Sequence, residues 1–224
     1  MLYSYQVINL MTKIESSMRF YLLATKLKEC IRSGWDDTHW NIKGRRESVA
    51  EHVYGCLILA IAIDSNFNLK LNLDKVLKML SLHEIGEVII GDITPYDGIT
   101  KEEKLEKEHK AMLEVLGNII KKEELYTLLL EFDEQRTKEA KFAHLCDKIE
   151  ADIQSKVYQD KGRHHSLEEQ KNNVAFKNKK ISDILQKDAQ DAFTIWYEMD
   201  KDIYREDEIF KAILTYIKEN NLCI

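Results

Sequence analysis

Four residues far apart in the chain, His52, His83, Glu84 and Asp147, are of the types a divalent first-row metal ion accepts: imidazole nitrogens together with carboxylate oxygens. His52 interrupts the apolar run of its helix, and burying a lone imidazole there requires a partner. His83 and Glu84 are adjacent, about 100° apart on a regular helix, so an ion lying against that helix is within reach of both. They belong to the stretch "SLHEIGEVIIGDITPYDGIT" (Ser81 to Thr100), which holds the chain's one proline, Pro95, and three of its eight glycines, Gly86, Gly91 and Gly98. Glu87, Asp92 and Asp97 crowd the same stretch beside the apolar run Val88-Ile89-Ile90. Such a mixture is either a metal site or a helix end followed by a polar loop. Singly, each residue has a plain reading: a hydrogen-bonded core histidine, a solvated aspartate, a surface or turn carboxylate.

The elements that must position these residues read as helices. One proline, eight glycines and abundant Lys, Glu, Leu and Ile leave almost no strand or hairpin punctuation, and helical periodicity dominates. It places helices over about 12–33, 48–66, 73–90, 102–120, 122–133, 136–161, 178–200 and 206–220. Ser48 is the expected cap of the second, and Asn72 or Asp74 of the third, because their side-chain oxygens can accept free N–H groups of the first turn. Val76, Leu77, Leu80 and Ile85 form the third helix's apolar stripe. Along 136–161, Phe142, Cys146, Ile149, Ile153 and Val157 form a buried stripe. Asp147 lies one position round from it, with Ala143 and Ala151 one turn either side, so it is expected to face an interhelical cleft. The polar segment "KGRHHSLEEQKNNVAFKNKK" reads as a loop, with His164 and His165 solvated, and His109 reads as a surface residue. The expectation is an all-α chain forming a single domain over 1–224, with a helical C-terminal extension at about 178–220.

A chain of 224 residues can bury a substantial core. Its formal charge of −6 argues against non-specific nucleic-acid binding, which needs a basic face, but not against a small phosphate ligand held by a few local cations. Cys30, Cys56, Cys146 and Cys223 are widely spaced and make no CxxC pair, which reads as reduced thiols in a cytoplasmic protein. The longest apolar stretch, "VYGCLILAIAI" (Val53 to Ile63), is shorter than the roughly 18 residues of a membrane span.

Three segments then carry a resemblance. "RRESVAEHVYGC" (Arg45 to Cys56), "LHEIGEVIIGDITPYDGITKEEKLEKEHKAML" (Leu82 to Leu113) and "EAKFAHLCDKIEADIQSKVY" (Glu139 to Tyr158) together resemble the HD-domain metal-dependent phosphohydrolases. Within them they are most similar to the 5′-deoxynucleotidase branch. The likeness covers about residues 20–160 in order, and implies an HD-type helical domain of about eight helices.

That resemblance implies that His52, His83, Glu84 and Asp147 bind one divalent ion (Mn²⁺, Co²⁺, Zn²⁺, Mg²⁺ or Fe²⁺). Glu84 stands where the family's name-giving pair has Asp, one methylene shorter. It also implies catalytic roles for Glu87 and Asp92. Glu87 is i+4 from His83, hence on one helix face, and could accept a proton from a water held at the ion. Asp92, past the helix end at Gly91, would serve the leaving 5′ oxygen or position the water, with Gly91 and Pro95 shaping the turn. "LKECIRSGWDDTHWNIKGRRESVAEH" (Leu27 to His52) resembles the element in which a basic residue and a Trp contact the nucleotide. Trp35 fits the aromatic position, while Gly34 stands directly before it where the deoxynucleotidases usually have Arg. Arg32, Lys43, Arg45 and Arg46 are the candidate substitutes, Arg45 first.

The implied function is removal of phosphate from (deoxy)nucleoside 5′-monophosphates. The alternatives are a phosphodiester or pyrophosphate hydrolase acting on a cyclic nucleotide or guanosine alarmone, and a regulatory HD domain that binds a nucleotide without turnover. The implied partner is a small-molecule nucleotide, with no nucleic acid and no membrane, and dimerisation follows from the family likeness alone.

Overall fold

The computed structural model describes residues 2–94, 96–187, 189 and 191–223, with only the backbone of residues 2–8. Pro95, expected to shape the turn after Gly91, lies outside the described residues. Among them every extended element is helical: α1 (Leu2–Ala24), α2 (Val49–Phe67), α3 (Leu73–Leu82), α4 (Glu87–Ile90), α5 (Lys101–Leu116), α6 (Lys122–Asp133), α7 (Lys138–Asp160), α8 (Leu167–Gln170), α9 (Lys179–Leu185), α10 (Ala192–Asp200) and α11 (Glu208–Glu219). Short 3₁₀ turns lie at Thr25–Lys28, Ser33–Trp35 and Val174–Lys177. No helix among the described residues is long and apolar enough to cross a membrane.

The helix starts follow from local chemistry. Ser48 caps α2 in a reciprocal box, its hydroxyl accepting from the Glu51 N–H while the Glu51 carboxylate accepts from the Ser48 N–H. Asn72 caps α3 through the Lys75 N–H, and Thr100 with Glu103 repeats the box at α5. Gly91 has φ +75°, a conformation costly for a side chain, and stops α4 there.

Three helices build the main core. Cys56, Ala60 and Ile63 of α2, Val76, Met79 and Leu80 of α3, and Ala140, Ala143, Cys146 and Ile149 of α7 pack together, all buried. The small residues of α7 let its neighbours come close, and each large apolar side chain buried there contributes about 1.5–3 kcal/mol. Phe193, Tyr204, Phe210, Leu214 and Ile217 close the same core, so α10 and α11 are integral to it. A second cluster gathers Trp35, Trp40, Ile42 and Tyr158 against Ile181, Ile184 and Ile195.

The structure departs from the sequence expectations in several places, one being the span expected as a single helix over 178–200, which forms two, α9 and α10. The first helix begins at Leu2 and ends at Ala24, and the span expected as 73–90 is broken after Leu82. Residues 83–86 keep helical backbone angles at His83 and Gly86 but tighten into i→i+3 bonds, Ile85 N–H to Leu82 O and Glu87 N–H to Glu84 O. The polar 161–180 segment carries α8 and a 3₁₀ turn, and His164 in it is buried, its ring beside Tyr158 and its backbone bridged to Ile42. His109 is half-buried and meets Asp133 Oδ2 at 2.9 Å.

A buried carboxyl pair marks where α10 meets α7. Asp152 is wholly buried, accepts the Tyr204 hydroxyl at 2.5 Å and leaves its Oδ1 without a partner. Burial first, then the Asp200 carboxylate, pushes its pKa well above the ordinary carboxylate value, and Asp200 is raised too. The folded state therefore holds more protons than the unfolded one at any pH between the two pKa values, so the pair's contribution falls as pH rises through that window. Asp152→Asn is expected to make the decline of melting temperature from pH 5 to pH 8 shallower. At pH 8 its Tm should be about 2–4 °C higher than wild type per kcal/mol recovered, read by thermal melts across pH.

Candidate metal centre

The break at the end of α3 is what brings the chemistry together. His83 sits at the C-cap, and its Nδ1–H can donate to the Leu80 carbonyl at 2.8 Å, which turns Nε2 inward. That Nε2 is buried without a hydrogen-bond partner, 3.6 Å from both Asp147 Oδ1 and Glu84 Oε1. From α2, the fully buried His52 presents its own Nε2 3.0 Å from Asp147 Oδ1 and 3.8 Å from Glu84 Oε1. Asp147 comes from α7 and is buried, as its place between two alanines suggested. Two imidazoles and two carboxylates thus converge from three helices and the turn after α3.

The ligand atoms of His52, His83, Asp147 and also Cys56 lie within 4.8 Å of one another. Cys56 was read from sequence only as a reduced thiol. Its spacing i+4 from His52 was the available signal, since that places both on one face of α2. Burial pushes the thiol up to about 11.

The electrostatics separate the acidic groups. Burial alone would raise Glu84, but His83 and Arg32 outweigh it and hold the carboxyl down at about 2. Asp147 behaves alike: burial opposes its charge, yet Lys148 and the two imidazoles keep it well below the ordinary range. Burial and Arg32 push the His52 imidazole down, while Cys56, Glu150 and Asp147 more than compensate and raise it. Glu87 differs. It is buried, and burial followed by the charges of Glu84 and Asp92 drives its pKa well above the usual value. One of its oxygens, Oε2, has no partner.

Asp92 is brought to the same place by the segment before α2. Ser33 donates its N–H to Asp92 Oδ2 at 2.8 Å and its hydroxyl to the Asp92 carbonyl at 2.7 Å. His39 fastens the loop further along, its Nδ1 2.8 Å from Asp36 Oδ1 and its Nε2 3.0 Å from Thr94 Oγ1. Arg32 lies between the two acids, Nη1 3.1 Å from Glu84 Oε1 and Nε 3.9 Å from Asp92 Oδ2.

Two expected substrate contacts are not brought to this cluster. Arg45, the first choice among the cations, is exposed and pairs with Glu51 at the start of α2. Trp35 is buried, donates its Nε1–H to Glu47 Oε2 at 3.0 Å and stacks on Trp196, 5.0 Å between ring centres. Sequence reading could not foresee that second partner, because Trp196 is about 160 residues away. A cavity of about 540 Å³ opens beside His83, Glu84 and Asp147, lined also by Lys101, Lys104, Lys148 and His144 with Ile99 and Phe132. None of these lining residues had been singled out from sequence.

A family profile described as HD domain matches residues 24–213, so the match runs beyond the 20–160 core into the C-terminal helices. The 5′-deoxynucleotidase HDDC2 of Homo sapiens is 35% identical over 147 residues, covering 65% of this chain and 69% of the relative. Its Mus musculus counterpart is 34% identical over 145 residues, covering 64% and 70%. The fold matches the crystal structure of the PH0347 protein from Pyrococcus horikoshii OT3 with a TM-score of 0.64 at 20% identity, over 90% of this chain and 98% of that one. The chain belongs to the HD-domain family.

Members of that family imply a divalent metal ion, and the residues here fit one. Two imidazole nitrogens and two ionised carboxylates form the mixed nitrogen–oxygen set such ions accept, and the buried, partnerless Nε2 of His83 points into it.

Proposed function

We propose that this protein is a metal-dependent phosphomonoesterase that removes phosphate from deoxynucleoside 5′-monophosphates. The observation that carries the reading is one juxtaposition: the His52–His83–Glu84–Asp147 cluster, with Arg32, Glu87 and Asp92 beside it, at the edge of a nucleotide-sized cavity. The names of the relatives support the substrate class.

In this reading His52, His83, Glu84 and Asp147 hold the ion. A divalent ion bound there would lower the pKa of a nearby water, polarise a phosphoryl oxygen and favour the ionised form of neighbouring carboxyls. Glu87 takes the proton of the attacking water, a task suited to a buried carboxylate of high proton affinity. As water adds to phosphorus the P–O5′ bond breaks, and the departing 5′ oxygen receives the proton that Glu87 has taken, relayed by Asp92, which Ser33 fixes in place. Arg32 is the nearest guanidinium to this chemistry and steadies the phosphoryl oxygens, with Lys148 at the cavity wall.

A phosphate-release screen tests this directly, with each of Mn²⁺, Co²⁺, Zn²⁺, Mg²⁺ and Fe²⁺ against deoxy- and ribonucleoside monophosphates, cyclic nucleotides and a guanosine alarmone. Metal-dependent release, faster from the deoxy monophosphates, is the expected pattern. Absence of release with every ion would sink the hydrolase reading, and preference for the cyclic or pyrophosphate substrates would move it to another branch.

Two substitutions probe details. Arg32→Ala removes charge-assisted hydrogen bonds of about 2 kcal/mol and should lower kcat/KM by ~30-fold, whereas Arg45→Ala, an exposed pair, should stay within about twofold. Equal effects would refute the choice of Arg32. Glu84→Asp withdraws the carboxylate by one methylene, away from Arg32. It is expected to retain the ion at unchanged stoichiometry while changing which ion supports most activity, read by elemental analysis and the same screen. Loss of the ion would mean the longer arm is needed to reach it.

A further inference from the structure

The two converging imidazoles are held from behind by different devices. His83 spends its Nδ1–H on the Leu80 carbonyl, within its own helix end. His52 lies in the first turn of α2, and its Nδ1 meets a side chain instead: Glu150 Oε2, at 2.5 Å. Glu150 is i+3 from Asp147 on α7, so one face of one helix supplies the group at each ring nitrogen of His52, Asp147 at Nε2 and Glu150 at Nδ1. The ring and the Glu150 carboxylate are both buried, which makes the contact costly to leave unmade.

Gly55 shows how a carboxylate fits between two packed helices. It lies inside α2, three residues after His52, and its φ is not positive, so no backbone requirement calls for glycine. Glycine at a helix interior costs about 1 kcal/mol relative to alanine. A Cβ there would lie 2.3 Å from Glu150 Oε1, 2.9 Å from its Cδ and 3.0 Å from its Cγ. The place a side chain would take on α2 is filled by Glu150.

We infer that Glu150 is the positioning residue of the metal centre: it takes the Nδ1–H of His52 and thereby aims Nε2 at the ion, and Gly55 is the space that admits it. A ligating histidine whose other N–H is held by a carboxylate is fixed in both ring orientation and tautomer. The inference rests on the metal-binding reading of His52 given above, but the hydrogen bond itself does not.

The test uses two readouts on the full chain: Mn²⁺ affinity by chelator competition, and the Nδ1–H resonance of His52 in ¹⁵N-edited NMR, assigned by its absence in His52→Asn. Glu150→Ala and Gly55→Ala should each weaken Mn²⁺ by about 10–100-fold and lose the protected Nδ1–H signal. Glu150→Gln keeps an acceptor oxygen and should retain the signal with a smaller loss. Because the nearest atoms an added Cβ would meet belong to Glu150, Gly55→Ala should cost little further affinity in the Glu150→Ala background. Full additivity in the double variant, or an Nδ1–H signal and an affinity unchanged in Glu150→Ala, overturns the inference. Wild-type protein that binds no Mn²⁺, Zn²⁺ or Co²⁺ overturns the metal reading instead. In that event the NMR arm decides the positioning by itself, for it if the signal disappears in Glu150→Ala and against it if the signal persists.

Discussion

His83→Ala is expected to strip the protein of its divalent ion and of its activity together. The side chain is anchored by the Leu80 carbonyl at 2.8 Å, and its Nε2 stands 3.6 Å from each of the two carboxylates it would share an ion with. Removing it leaves Glu84 and Asp147 facing each other with one imidazole fewer to offset their charge. An ion contributes several kcal/mol to a phosphoryl-transfer transition state, so a loss of about 4 kcal/mol lowers kcat by ~10³-fold. Metal analysis of the purified variant and phosphate release at saturating ion read the two effects. Wild-type metal content in His83→Ala would exclude it as a ligand, and full activity at low metal content would exclude the ion from the reaction.

Glu87→Gln should do the opposite to the ion and almost the same to the rate. Glu87 follows the turn that carries His83 and Glu84 and is assigned the base role, not a place among the ligands, so the variant should bind metal as wild type does. The amide cannot accept the water's proton, and general-base contributions of about 10²–10⁴ set the expected loss in kcat. KM should move little. Because Glu87 is buried with its proton affinity raised by burial and by Glu84 and Asp92, the neutral amide should not destabilise the fold, and Tm should be equal or higher. Unchanged turnover in Glu87→Gln would refute the base role. Loss of metal would reassign it to the ligand set.

The helices themselves were readable because their causes are local. Ser48 was the expected cap of the second helix and Asn72 or Asp74 of the third, and the structure caps them with Ser48 and Asn72. The all-α class followed from periodicity, and Asp147 between two alanines was correctly expected to face inward. The turn after Leu82 was not readable: Ile85 continues the apolar stripe of α3, and helical backbone angles hold at His83 and Gly86, so periodicity runs on while the hydrogen bonding changes.

Residue types and order along the chain carried the donor set and its family, because a metal site needs particular atoms and those are written in the side chains. Packing settled which cations and carboxylates stand near that set. Arg32 rather than Arg45 reaches Glu84, since the bridge between Ile31 and Ser48 ties the strand of chain before α2 against that helix. Trp35 turns to Trp196 and Glu47, away from the cavity, because the C-terminal helices complete its apolar surroundings. Glu150 and Gly55 look ordinary in sequence, a charged residue on a charged helix and a glycine in an apolar one. They acquire a shared role only where α7 lies against α2, because a contact between helices depends on which faces meet and at what distance, and no local pattern encodes that.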